Sequence, residues 1–343
     1  MSILRKILHY ARENELSDLH LRADQPMAIR VDGEVVVFEG DLISGGELLH
    51  FIETHLSSPA LRDSFEHERD ADLAIEIEEF RFRANFYHTS HGVAAALRKI
   101  ETVIPTMEKL GLPEVIDRTL QAENGLILVT GPTGSGKSTS LAAMVDRINR
   151  QRHGNIITIE DPIEYVHLNR NCIVSQREVG RDTISFARAL RASLREDPDI
   201  ILVGEMRDRE TIQLALTAAE TGHLVFGTLH TSGAPNTVNR IIDVFPPAQQ
   251  DQVRAQLSQS LRVVMTQRLH RRRDGSGRAA SFEIMMATSA VRNLIREQKI
   301  HQLYSVMQTS RDVGMITMEQ SIQELVSNGV IDLQSGSGVA DLR

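Results

Sequence analysis

The sequence predicts an α/β protein in two parts: a small α+β domain with an antiparallel sheet, then a larger domain with a mostly parallel sheet and a helical C-terminal part. Three observations predict it. The first hundred residues alternate apolar and polar positions in short runs. From residue 124 the runs become continuously apolar, with helical segments between several of them. A glycine-rich loop of fixed pattern then joins the first of those runs to a helix. Alternation marks strands with one solvated face, whereas continuous apolar strands belong to a parallel sheet covered on both faces. The 343 residues suffice for two domains with sizeable cores, and 41% hydrophobic with 24% charged residues suits a globular chain.

The elements follow in order. Ile3, Leu4, Ile7, Leu8 and Ala11 recur at helical spacing, which predicts an amphipathic helix over 3–14. "MAIRVDGEVVVF" sets two apolar runs around Asp32-Gly33, a hairpin signal. A helix is expected over 45–57. The alternation of 71–100 predicts strands broken near Glu78-Glu79 and around Ser90–Gly92. These pieces make a domain of residues 1–100. Residues 101–123, with Pro105 and Pro113, read as an interdomain linker holding one short helix. "GLILVT", "NIITIE", "DIILVGE" and "HLVFGTLH" supply the parallel strands of a core over 124–270. From about 248 onward the pattern is mostly helical, with 271–335 as a helical C-terminal part and 336–343 as a Gly/Ser-rich, disordered tail. "HRRRDGSGR" (270–278) reads as a solvated surface turn.

Composition narrows the function. A net charge of −8 and a pI near 5.9 argue against a protein whose main task is gripping nucleic-acid phosphates. The single cysteine, Cys172, excludes a disulfide framework and a cysteine-based zinc module within one chain. The N-terminus is too polar and periodic for a signal peptide. No run approaches the roughly 20 apolar residues that span a bilayer. A cytoplasmic protein is expected, touching a membrane only through a partner.

"GPTGSGKST" fits the phosphate-loop pattern G-x-x-x-x-G-K-[ST] between a strand and a helix. Gly131, Pro132, Thr133, Gly134, Ser135 and Gly136 form the loop, whose backbone N–H groups wrap phosphates that only glycine lets come close. Lys137 brings positive charge to the outer phosphates, and Ser138, followed by Thr139, offers a hydroxyl to Mg²⁺. ATP and Mg²⁺ are the ligands this predicts. Hydrolysis also needs a carboxylate to orient the attacking water. Glu205 stands at the tip of the strand in "DPDIILVGEMRD", after Gly204, where many phosphate-loop enzymes carry a magnesium aspartate. "NIITIEDPIEY" adds Glu160, Asp161 and Glu164 after another buried strand. The water-orienting and metal-orienting roles stay open among these three, with Glu160 a metal candidate through water, and one of them can instead cap a helix.

Two histidines flank the last apolar strand in "TGHLVFGTLHT". Seven residues of strand at about 3.3 Å each set His223 and His230 on the order of 20 Å apart, and the odd offset puts them on opposite faces. One metal ion cannot take both. In a parallel sheet His230 shares the C-terminal edge with the phosphate loop and Glu205, so its ring can approach the γ-phosphate. His223 enters from the far edge and is expected to fix the preceding turn or a neighbour-facing surface.

These stretches, with "SQREVGRDTISFARALRASLREDPDIILVGEMRDRETIQLALTAAETGHLVFGTLHT" and the late "VRNLIRE", resemble the type IV pilus retraction ATPases of the PilT type, among the secretion ATPases. The likeness runs from "SDLHLRADQPMAIRVDGEV" to "GMITMEQ". It implies an N-terminal PAS-like domain, a RecA-like ATPase domain and a ring of six identical chains that hydrolyses ATP at subunit interfaces. It implies Glu205 as the catalytic glutamate, Glu160 and Glu164 as an acidic box, and His223 with His230 as a histidine box at the nucleotide. Arg83 and Arg98 fall where the family places arginines that reach the nucleotide as the ring closes. The implied partners are an inner-membrane pilus platform protein, which is the only membrane link, and a paralogous retraction ATPase; nucleic acid is not among them. The sequence departs from the family at His91, where an arginine is frequent. Assembly and secretion relatives usually carry a four-cysteine zinc insert that Cys172 alone cannot make, which favours a retraction motor. "RKIETVIPTMEKLGLPEV" and "CIVSQREVG" are also similar to PilU-type accessory ATPases.

Overall fold

The structure is a computed structural model that describes residues 2–14, 16–31, 34–100 and 103–332. It divides into two compact units, Met1–Val103 with Pro162–Val166, and Ile104–Asp161 with His167–Arg343. The Asp32-Gly33 turn and the 336–343 tail lie outside the described residues.

The first unit is a six-stranded antiparallel sheet. Its strands are β1 (Leu16–Arg22), β2 (Gln25–Val31), β3 (Glu34–Ile43), β4 (Asp70–Ile77), β5 (Phe80–Thr89) and β6 (Gly92–Ile100), in the order β3-β2-β1-β6-β5-β4. The helices are α1 (Ile3–Glu13), α2 (Gly45–His55) and α3 (Pro59–Asp63). Ser44 starts α2 by accepting the Glu47 N–H. Strand alternation sends Leu19, Leu21, Phe82, Phe86 and Leu97 into one apolar cluster with Ile7 of α1 and Phe51 and Ile52 of α2. The same alternation exposes Arg83 and Arg98, which face each other across β5 and β6. Asp18 of β1 is in register with Arg98 and with Arg30, and the Arg98 Nε donates to it at 2.9 Å.

In the second unit seven strands run β13-β12-β7-β11-β10-β8-β9: β7 (Gly125–Thr130), β8 (Asn155–Glu160), β9 (Ile173–Glu178), β10 (Ile200–Val203), β11 (Leu224–Leu229), β12 (Leu261–Arg271) and β13 (Arg278–Met286). All neighbours are parallel except the β12–β13 hairpin. The helices are α4 (Glu114–Thr119), α5 (Lys137–Gln151), α6 (Phe186–Ser193), α7 (Arg209–Glu220), α8 (Ala234–Asp243), α9 (Pro247–Ser260), α10 (Ser289–Arg296), α11 (Leu303–Thr309) and α12 (Met318–Ser327). Two apolar clusters explain why β7 and β11 are buried at every residue. Leu126 and Leu128 pack with α7, α8 and α9 on one face, and Ile127 and Val129 with α4 and α5 on the other.

Two sequence expectations are corrected. Residues 104–123 are not a free linker, because Met107, Leu112, Val115, Ile116 and Leu120 are buried in the second unit's core. The stretch from 248 onward is not helical throughout: 261–271 and 278–286 form the β12–β13 hairpin. Short apolar runs such as "LRVVM" satisfy helix and strand patterns alike, and pairing with β7 decides the matter.

Candidate nucleotide site

The phosphate loop is built by strand, glycine and helix in turn. β7 ends at Thr130, and α5 begins at Lys137 behind Gly136 in the left-handed region (φ 86). A Cβ on Gly131 would lie 2.4 Å from the Gln267 carbonyl oxygen, and one on Gly136 2.9 Å from its amide nitrogen. The β12 backbone therefore excludes a side chain at position 131, and the positive φ disfavours one at 136. The Gln267 Oε1 also accepts the Ser140 hydroxyl at 2.7 Å, so this buried glutamine forms the floor of the loop. Lys137 Nζ donates to the carbonyls of Gly131 at 2.9 Å and Pro132 at 3.0 Å. The Ser135 hydroxyl is buried with no hydrogen-bond partner, a group that a phosphate oxygen would satisfy. The N-terminus of α5 adds backbone N–H groups and a positive dipole end. The loop fits a nucleotide polyphosphate.

Glu205 follows β10 at the same C-terminal edge and is held from both sides. Its Oε2 lies 2.6 Å from Arg207 Nη2, and its Oε1 3.1 Å from His230 Nε2. Burial pushes its carboxyl upward, but the Arg207 bond, with His230 and Lys137 nearby, outweighs that and leaves it below the usual carboxylate range. Glu205 is therefore ionised, as a group that orients or deprotonates water must be. The other ring nitrogen of His230 is 3.5 Å from the Thr133 hydroxyl, so the imidazole stands between the carboxylate and the phosphate loop.

Gly204 has a packing reason. A Cβ there would meet the Ile159 carbonyl at 3.0 Å and the Glu160 Cα at 3.2 Å, so any larger residue would have to push the β8 backbone aside by a few tenths of an ångström. The adjoining strand end supplies acid instead. Glu160 closes β8, and its Oε1 accepts from the Thr158 hydroxyl at 2.6 Å and the Gln176 amide at 3.1 Å. Ser138 and Glu160 offer the oxygen donors that Mg²⁺ prefers. Among the described residues no group of three or more His, Cys, Asp or Glu could hold a metal ion. The Ser138 hydroxyl and the Glu160 carboxylate fit a magnesium ion held mainly by phosphates and water.

The second unit thus gathers residues 131–139, Glu160, Glu205 and His230 at one sheet edge. It does not gather the others. Glu164 is exposed in the 162–166 stretch that belongs with the first unit, and Arg83 and Arg98 are exposed on the first unit's sheet. His223, expected among the nucleotide-binding residues, stands apart from the rest of the set in this chain. It precedes β11 at the opposite end of the strand, where its ring bonds the Ala218 carbonyl at 2.9 Å and closes the turn after α7. Sequence reasoning also missed Gln267, Arg268, His270 and Arg278. The last three line, with residues 132–135 and His230, a cavity of about 670 Å³. Arg278, expected in a solvated turn, faces this cavity because β13 pairs with β12.

A phosphate loop with an ionised carboxylate and an imidazole beside it defines a nucleoside-triphosphate hydrolase of the P-loop class. Residues 1–335 match the family described as type II/IV secretion system protein. The chain belongs to this family and is one of its ATPases. It is 48% identical over 333 residues to the type IV pilus retraction ATPase PilT of Pseudomonas aeruginosa, covering 97% of this chain and 96% of that one. It is 39% identical over 337 residues to the type IV pilus ATPase PilU of the same organism, covering 98% and 88%. A crystal structure of the pilus retraction motor PilT with bound ADP superposes with a TM-score of 0.91 at 46% identity, covering 99% of this chain and 97% of that one.

Proposed function

We propose that this protein is the ATP-driven motor of type IV pilus retraction, acting as a homohexamer at the cytoplasmic face of a bacterial inner membrane. One observation carries the reading. The near full-length likeness to a retraction ATPase coincides with an unbroken hydrolytic set, Lys137, Glu205 and His230, at one sheet edge. Residues 131–139 bind the phosphates, and Lys137 leaves the loop carbonyls to meet them. Glu205 orients the attacking water, and His230 senses the γ-phosphate from its place beside Thr133. Bound Mg²⁺, held through Ser138 and through water by Glu160, would supply charge neutralisation on the phosphates.

Arg83 and Arg98 act at a neighbouring subunit's nucleotide when the ring closes, and Glu164 serves with Glu160 in the acidic box. An arginine delivered at closure stabilises charge on the transferring phosphoryl group. The location of the pair supports this role: the two stand directly opposite each other on an exposed sheet face, where Asp18 holds the Arg98 guanidinium. Closure turns a platform protein in the membrane; among the described residues no helix of this chain is long and apolar enough to cross a bilayer. A PilU-type partner can share the ring's task.

Deleting the gene in its host tests the reading. Excess surface pili without twitching are expected, and bald cells would overturn retraction in favour of assembly. Phosphate release by the purified protein is expected to be indifferent to added DNA or RNA. Strong, salt-sensitive stimulation would instead mark a nucleic-acid motor.

A further inference from the structure

Glu283 is a buried acid, only 5% exposed, that no step above uses. It lies in the middle of β13, opposite Thr266 of β12. Its Oε1 accepts the N–H of Ala234, the first residue of α8, at 2.7 Å, and the backbone of Met318, the first residue of α12, lies close enough to favour the charged carboxylate. One side chain therefore caps the N-terminus of α8 and faces that of α12, each with unsatisfied donors and a positive dipole end. The two helix starts depend on this carboxylate to different degrees. α12 has its own capping box, from Thr317 and Gln320, and Ile316 exchanges backbone bonds with Ile284 of β13 at 2.8 and 3.2 Å. α8 is different: its N-cap is Gly233, which has no side chain to cap with.

The α8 end matters because of what precedes it. Only Thr231, Ser232 and Gly233 separate His230 from Ala234. Gly233 sits in the left-handed region (φ 95), with the Glu283 oxygen 3.4 Å from where a Cβ would be. Thr237, in the first turn of α8, donates to the Gly233 carbonyl at 2.9 Å, and its hydroxyl lies 2.7 Å from that of Thr231. The short loop that presents His230 to Glu205 is therefore anchored to the first turn of α8, and that turn is anchored to Glu283. We propose that Glu283 is a positioning residue for His230: it fixes the start of α8 from the β13–α12 side and so holds the imidazole against Glu205. Burial raises the carboxyl above its usual range, with Glu319 adding to that and the Ala234 and Met318 backbone and Arg268 opposing it.

The proposal rests on His230 acting in hydrolysis, and a double-mutant cycle separates the two ideas. Glu283→Gln keeps the size of the side chain and one acceptor oxygen. It is expected to lower kcat by about five- to tenfold while the KM for ATP changes less than about twofold, because the phosphate loop is untouched. In a His230→Ala background the same substitution should cost less than about twofold further, because its route of action is already gone. Equal proportional losses in both backgrounds would overturn the positioning role and leave His230's role standing. A His230→Ala protein with undiminished kcat would overturn both. A Glu283→Gln protein with wild-type kcat, or with its whole loss in KM, would also overturn the proposal. Circular dichroism checks the fold, and if the amide does not fold, Glu283→Asp is read in the same cycle. Aspartate keeps the charge but draws the oxygen back from Ala234.

Discussion

At the residue scale, Glu205 carries a different partner on each oxygen, Arg207 on one and His230 on the other. That division separates binding from turnover. Glu205→Gln leaves the phosphate loop and Lys137 in place, so nucleotide affinity should stay within a few-fold of wild type. Turnover should fall by about a hundredfold or more, the usual worth of a lost general base. Lys137→Ala should lose both. Steady-state phosphate release beside fluorescent-ADP titration distinguishes the two, and Glu205→Gln turning over at the wild-type rate would remove this residue from the chemistry. The histidines should divide in the same way. His230→Ala costs turnover, whereas His223→Ala costs chiefly the turn after α7, whose Ala218 carbonyl it bonds. This much was legible in the sequence, because seven strand residues cannot place two rings at one edge. Gln267 was not legible. Nothing local marks a glutamine as the floor of a phosphate loop until the pairing of β12 with β7 brings it under Gly131.

Among the elements, α10 shows how one stretch can carry two physical meanings. Its "VRNLIRE" pattern predicts an amphipathic helix, and Val291 and Ile295 are indeed fully buried while Leu294 is partly so. The same pattern gives no hint of what Arg292 does. Its guanidinium donates to the carbonyls of Ser258, Gln259, Leu261 and Ala287 at 2.6 to 3.1 Å. Three of these close the C-terminal end of α9, where carbonyls lack intrahelical partners and a cation meets the negative end of the dipole. Arg292→Ala should therefore destabilise the second unit by about 2 kcal/mol, the range for charged hydrogen bonds to partly buried groups. Arg292→Lys should recover little, because one ammonium cannot reproduce the planar fork. Thermal unfolding of the three proteins checks this, and an unshifted transition for Arg292→Ala would remove the cap from the account. Local pattern thus revealed the buried parallel strands and the N-terminal antiparallel sheet. It missed the β12–β13 hairpin and the packing of 104–123, both of which depend on partners distant in the chain.

For the molecule as a whole, the division of residues between the units makes the strongest demand. The phosphate loop, Glu160, Glu205 and His230 belong to the second unit, and Arg83, Arg98 and Glu164 to the first. If the arginines serve a neighbour's nucleotide, a chain missing them still carries a sound phosphate loop. A chain missing Lys137 still carries sound arginines. Each variant alone should be nearly inactive as a ring. Mixed in equal parts and allowed to exchange, they should assemble some interfaces with the loop from one variant and the arginines from the other. Random assembly would complete about a quarter of the interfaces in a closed ring of identical contacts. The mixture of Lys137→Ala with Arg83→Ala/Arg98→Ala should therefore regain phosphate release that neither parent shows, and the gain should require subunit exchange. Rings cross-linked before mixing should stay silent, which controls for the small activity of each parent. Were the arginines to act on their own chain's nucleotide, no mixed ring could hold a complete site. Absence of recovery after proven exchange would then assign Arg83 and Arg98 to their own subunit, and the proposed coupling of ring closure to hydrolysis would lose its chemical basis.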